Sequence, residues 1–155
     1  MEPGATNLAP STLLVVDDNE TVLELLDLLL SYHGSTVVRA RSGSECLAIV
    51  NRQPVDLVVL DVMMPGLDGI EVSAELKRSQ PALPIILLTA KDDMATRAAA
   101  MSLGVSEFVV KPINKQDFLT RIYTHISARR EETAAEKTAE NLRRLGAVES
   151  GKHNA

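Results

Sequence analysis

A chain of 155 residues with 45% hydrophobic and 24% charged side chains can bury one core without disulfide or metal staples. With 3% aromatics and no Trp, that core must be aliphatic, and a net charge of −5 argues against a generic nucleic-acid surface, which needs a basic face. Cys46 is the single cysteine and has no Cys or His at metal-ligand spacing, no apolar run reaches membrane-span length, and the N-terminus lacks signal-peptide regions, so the expected setting is cytoplasmic.

Residues 1–11, with two prolines, a glycine and small polar residues, read as a flexible leader outside the fold. Thr12 to Val16 is a continuous apolar run, predicted to be a buried strand, and it stops at Asp17, Asp18, Asn19 and Glu20. Val22, Leu23, Leu25, Leu26, Leu28, Leu29 and Leu30 then form a broad helical face, with Gly34 as a stop signal. Thr36 to Ala40 is a short strand placed near an edge by Arg39. The second helix opens at Ser42 and Gly43, with Ser44 as its expected cap and Cys46, Leu47, Ile49 and Val50 as its buried stripe.

Val55, Leu57, Val58, Val59 and Leu60 form a mostly β-branched run that ends at Asp61 and turns into the loop Met63-Met64-Pro65-Gly66-Leu67-Asp68-Gly69. Asp68 caps a third helix with Ile70, Val72, Ala74 and Leu76 as candidates for burial. A fourth buried run, Pro84 to Leu88, ends in Thr89 and Ala90. Ala95 to Leu103 reads as an alanine-rich helix stopped by Gly104. A fifth strand, Ser106 to Val110, ends in Lys111 and Pro112. The last helix begins at Asn114 and Lys115 and presents Phe118, Leu119, Ile122 and Ile126.

Five strands alternating with five helices predict an α/β fold, a doubly wound (βα)5 three-layer sandwich with a parallel sheet. In the order 2-1-3-4-5, strands one and three meet at the switch point, where such folds bind ligands at the strands' carboxyl ends. That order brings Asp17, Asp18 and Asp61 together, with Thr89 and Lys111 from the next strand ends. Taken singly, each residue has a bland explanation: turn formers, a helix cap, a solvated lysine. Their joint occurrence at four of five strand ends makes chance a poor explanation.

Charges 4 Å apart repel by about 4 kcal/mol at an effective dielectric near 20, so three crowded carboxylates call for a cation. Oxygen ligands without His or Cys suit Mg²⁺. Lys111 adds a point charge suited to a phosphate or carboxylate oxygen. Asp61 is then a candidate nucleophile for a phosphoryl group, and Thr89 can hydrogen-bond the new phosphoryl oxygens.

Val15-Val16-Asp17-Asp18-Asn19, Leu60 to Gly69, Leu87 to Ala90 and Phe108 to Pro112, in this order, resemble the receiver domain of two-component response regulators, over about residues 12–126. The resemblance implies a flavodoxin-like, CheY-like fold and a receiver over residues 12–127. It implies that Asp61 accepts a phosphoryl group from a histidine kinase or histidine phosphotransfer protein. It also implies that Asp18, Asp61 and the backbone carbonyl of Met63 ligate Mg²⁺, with Asp17 helping through water. Lys111 would contact the phosphoryl group, the Lys111-Pro112 bond would be cis, and Thr89 and Phe108 would be the switch pair. Output would pass through the face made by helix four, strand five and helix five to a downstream protein target, in a signalling protein rather than a dedicated enzyme. Phe108 lacks the hydroxyl that a switch tyrosine would offer. Met63 and Lys91 offer no water-positioning base, so slow self-dephosphorylation is expected.

Residues 128–155 read as a helical extension and a disordered end from Glu149. A helix continuing to Arg144 would have about 30 residues and reach roughly 45 Å, so its second half must project. Ala135, Ala139, Leu142 and Leu145 repeat loosely, which leaves a solvated helix and a dimerising or signalling linker both open. A homodimer could form through that helix or through the output face. No DNA-binding helix pair follows, which favours a single-domain regulator with no direct nucleic-acid or membrane contact. The alternative is a receiver and linker from a larger regulator with a DNA-binding or nucleotide-cyclase output. A haloacid-dehalogenase-type phosphatase needs a second Asp where Met63 stands, and a flavodoxin-like flavin carrier needs a hydroxyl- and glycine-rich loop where the acids stand.

Overall fold

The computed structural model describes residues 7–90 and 94–153, with side chains as far as residue 146. Among these the elements run β1 (Thr12–Val16), α1 (Glu20–Tyr32), β2 (Thr36–Ala40), α2 (Gly43–Arg52), β3 (Leu57–Asp61), α3 (Gly69–Ser79), β4 (Ile85–Thr89), α4 (Met94–Ser102), β5 (Glu107–Val110) and α5 (Lys115–His153). The sheet is parallel with order β2-β1-β3-β4-β5, the doubly wound arrangement predicted from the alternation of strands and helices.

The inner strands are apolar throughout because helices cover both sheet faces. Leu14, Val16, Val58, Leu60, Ile85 and Leu87 point to one face, against Cys46 and Ile49 of α2, Val72 and Leu76 of α3 and Ala100 of α4. Leu13, Val15, Leu57, Val59, Ile86 and Leu88 point to the other, against Leu23, Leu26 and Leu30 of α1 and Phe118, Ile122 and Ile126 of α5. The period-two alternation thus feeds two separate cores, one on each side of the sheet.

Several local expectations change. Of the broad leucine face of α1, Leu23, Leu26 and Leu30 are buried, while Leu25 and Leu28 are exposed, because a helix on a flat sheet buries only a stripe. Ser42, not Ser44, caps α2: its backbone is extended and its Oγ accepts from the Glu45 amide at 3.1 Å. In α3 the fully buried positions include Gly69 and Ser73 rather than Ile70 and Ala74, and the Ser73 hydroxyl satisfies itself by donating to the Gly69 carbonyl at 2.7 Å. The helix starts with a reciprocal capping box between Asp68 and Glu71.

The ends depart further. Residues 7–11 are not outside the fold: Leu8 is 1% exposed within the α1/α5 core, and the Ser11 and Ser35 hydroxyls hydrogen-bond at 2.8 Å. Apolar burial of one leucine is what a composition-based reading of a Pro/Gly-rich segment overlooks. Residues 1–6 of that expected leader lie outside the described residues. At the other end α5 runs for 39 residues, through Gly146 and Glu149 to His153, where an unstructured end is predicted from Glu149. Only residues 154 and 155 of that end lie outside the described residues.

Gly69 fixes the position of the loop after β3. A Cβ there would lie 2.6 Å from the Asp61 carbonyl oxygen and 2.7 Å from the Val62 Cα, backbone atoms that cannot swing aside. Gly69→Ala is therefore expected to destabilise by about 1–3 kcal/mol, the usual range for overpacking, read as a lower urea midpoint with an unchanged slope. A midpoint equal to wild type would show that the loop has slack.

Candidate functional site

Parallel register assembles the site. Val16 pairs with Leu60, so the next residues, Asp17 and Asp61, lie side by side at the carboxyl ends of β1 and β3. The Asp17 amide still donates to the Ala40 carbonyl at 3.1 Å, and the Val62 amide to the Leu88 carbonyl at 2.9 Å, so both acids leave the sheet from fixed backbone. On the next strand ends, the Lys111 amide donates to the Thr89 carbonyl at 2.7 Å, which sets the root of the lysine beside Thr89. The Lys111-Pro112 peptide is cis.

Asp17, Asp18 and Asp61 each offer a carboxylate oxygen within 4.8 Å of the others. Asp17 and Asp61 are buried and Asp18 is exposed. The Lys111 ammonium sits between the two buried acids, 3.5 Å from Asp17 Oδ2 and 3.7 Å from Asp61 Oδ1. Both distances are long for a charge-assisted hydrogen bond, so the ammonium serves two acids without closing on either. Asp17 Oδ1 accepts from the Asn19 amide at 2.9 Å, and Asp61 Oδ1 from the Met63 amide at 3.3 Å. Asn19 in turn caps α1 through its side-chain oxygen, so the acid loop and the first helix are locked together.

The donor set suits a hard divalent cation: all oxygen, with no His or Cys. In an octahedron with Mg–O near 2.1 Å, opposite oxygens lie about 4.2 Å apart, so a small inward movement or bridging waters would bring this cluster into range. The Met63 side chain is exposed and carries no basic group, while Lys91 lies outside the described residues.

Thr89 is buried at the end of β4. Phe108 is buried in the core beneath it, on a strand position paired with Leu87, and Arg97 of α4 holds its guanidinium 5.7 Å from the ring centroid. Arg97 has no place in the sequence reading, because on an alanine-rich helix it looks like a solvated charge; only the packing of α4 on β5 puts it over the ring.

Comparisons with known proteins agree with this architecture. The model of the response regulator receiver domain family matches residues 13–123. The probable transcriptional regulatory protein TcrX of Mycobacterium tuberculosis is 39% identical over 113 residues, 73% of this chain and 48% of that protein. The response regulator MprA of Mycobacterium leprae is 39% identical over 127 residues, 82% of this chain and 56% of that protein. Among solved structures, a response regulator receiver domain protein from Clostridium thermocellum superposes with a TM-score of 0.73 at 33% identity, covering 77% of this chain and 97% of that one. The chain is thus a doubly wound receiver-type module with an acid cluster at its switch point. The chain belongs to the response regulator receiver domain family of two-component systems. It spans about half the length of the mycobacterial relatives it matches. Among the described residues, no helix is long and apolar enough to cross a membrane.

Burial raises the Asp61 pKa above its ordinary 3.8, and the charge of Asp17 raises it further, while Lys111 and the Met63 amide pull it back. The folded chain thus binds that proton more tightly than the unfolded chain, so this group costs stability increasingly as pH rises from 3.8 through the raised value. Without divalent metal, Asp61→Asn should unfold at higher urea than wild type near neutral pH, and the gain should vanish below pH 3.8, where wild-type Asp61 is protonated in both states. A variant no more stable than wild type at neutral pH would overturn the crowding argument.

Proposed function

We propose that Asp61 is the phosphoacceptor of this receiver and that its phosphorylation resets the face formed by α4, β5 and α5. The observation that supports this most strongly is the placement of Lys111 between Asp17 and Asp61 at 3.5 and 3.7 Å, close enough to hold the acids and far enough to admit phosphoryl oxygens. Asp17, Asp18, Asp61 and the Met63 carbonyl are the groups that would hold Mg²⁺, which when bound would supply charge neutralisation and in-line orientation of the donor.

In the transfer, an Asp61 carboxylate oxygen attacks phosphorus, the new O–P bond forms, and the bond from phosphorus to the donor breaks, with the electron pair leaving on the donor. A phosphohistidine of a histidine kinase or histidine phosphotransfer protein releases imidazole; acetyl phosphate releases acetate. Lys111 moves with the new oxygens, and Thr89 offers its hydroxyl to them. Withdrawal of Thr89 toward the phosphoryl group frees space that Phe108 and α4 sense, and Arg97 over the Phe108 ring ties the ring to that helix. The chain acts in this reading as a signalling protein that takes up one phosphoryl group rather than as a turnover enzyme.

The relatives at 39% identity extend well beyond the shared region, and one of them is called a transcriptional regulatory protein, which favours a second reading: a receiver with the start of a connection to an output domain. In that reading the part of α5 beyond the sheet is the connecting element, and nucleic acid is reached through the output domain.

Incubation with acetyl phosphate and Mg²⁺ should add one phosphoryl group to the wild type by intact mass and none to Asp61→Asn; equal labelling of both would reject Asp61. The label should decay over minutes rather than seconds, given the exposed Met63 beside the acceptor. Phe108→Ala should still take up the label but lose the label-dependent change in amide exchange along α4. An unaltered change would remove Phe108 from the relay.

A further inference from the structure

The opposite end of the sheet from the acid cluster carries a cleft that nothing above uses. It lies where α5 leaves the sheet beside the start of β3, has a volume of about 360 Å³, and is lined by Asp56, Ile126, Arg129, Arg130, Ala134 and Lys137 among others. That size falls in the lower part of the range of small-molecule sites, roughly 300–1,000 Å³.

Its charge is opposite to that of the molecule. The chain carries −5 overall, yet three cations face a single acid in this cleft. That acid is already engaged: Asp56 Oδ2 accepts from the Thr12 amide at 2.7 Å, closing the start of β1. The guanidinium groups are oriented by neutral partners. Arg129 Nη1 donates to the Asp56 carbonyl at 3.3 Å, and Arg130 Nη2 donates to the carbonyls of Leu8 and Pro10. Carbonyl oxygens fix a guanidinium in space and leave its charge and most of its five donors available. Among the described residues, none of Arg129, Arg130 and Lys137 forms an ion pair. Lys77 has its pKa lowered, chiefly by burial and secondarily by the charge of Arg129.

We propose that this cleft binds a small phosphorylated anion, its phosphoryl oxygens on Arg129, Arg130 and Lys137 and its remaining, less polar part beside Ala134 at the cleft wall. Forked guanidinium donors match phosphoryl oxygens in pairs, and Lys137 adds a mobile point charge from about two turns further along the helix. The site is separate from the phosphoacceptor: Asp56 precedes β3 and Asp61 ends it, a strand length of about 17 Å away. An anion held here would fasten the root of the α5 extension to β3 and to residues 8–10, and so set the direction in which that helix leaves the domain.

The full chain titrated calorimetrically with inorganic pyrophosphate, and separately with ADP, in buffer free of divalent metal, tests this. Saturable one-to-one binding of both probes is expected, tighter for ADP, whose organic group can use the cleft wall that pyrophosphate leaves empty. Lys137→Gln, an exposed position with no partner among the described residues, should weaken binding about tenfold, as should Arg129→Gln, each removing one charge-assisted contact. Asp61→Asn should bind as wild type, and both basic-site variants should still label with acetyl phosphate, which separates this proposal from the phosphoacceptor reading. Absence of saturable binding with both probes, binding unchanged in Lys137→Gln and Arg129→Gln, or binding lost in Asp61→Asn would overturn it.

Discussion

One ammonium between two buried carboxylates is the constraint on which the rest of the structure depends. Asp17 and Asp61 are forced together by the pairing of β1 with β3, and their repulsion, about 4 kcal/mol for unit charges 4 Å apart at an effective dielectric near 20, must be offset within the fold. Lys111 offsets part of it from the far side of β4, at distances too long to quench it. The apolar strands, the two cores and the buried Gly69 all hold this imbalance in place. A site so arranged gains when a divalent cation arrives, because the added positive charge relieves the repulsion between the acids.

The path outward from the acids is short and mostly backbone. Lys111 is bonded through its amide to Thr89, Phe108 lies three residues before it on β5, and Arg97 spans from α4 to the Phe108 ring. A ring without a hydroxyl cannot report its position by a hydrogen bond of its own. The guanidinium above it supplies a polar handle that a phenylalanine lacks, at a contribution of about 0.5–1 kcal/mol for an exposed cation–π pair.

The two ends of the sheet have opposite electrostatic character. Acids gather at the carboxyl ends of the strands, and basic side chains of α5 gather near the amino end of β3. The same helix that buries Phe118, Ile122 and Ile126 against the sheet turns basic one turn later, where Arg129 and Arg130 grip the carbonyls of Asp56, Leu8 and Pro10. Beyond Arg130 the helix is exposed almost without interruption to residue 146, with Leu142 and Leu145 on its surface. The root of α5 is thus anchored to the sheet and to residues 8–10.

Continuous apolar runs ending in acid, hydroxyl and lysine determined from the chain alone that there are five strands, that the sheet is parallel and at which end its acids gather, because burial on both faces and polar residues at strand ends leave distinct marks on a sequence. Asp17, Asp18, Asp61, Thr89 and Lys111 were legible because each stands where an apolar run stops. Leu8, Ser42 as the cap of α2, Ser73, Arg97 and the Arg129 cleft were not. Their roles depend on which atoms of distant segments come within a few ångströms, and neither periodicity nor composition encodes that. The tertiary structure alone decided that Lys111 stands between two acids and that basic side chains with ordinary neighbours in the chain converge on one cleft.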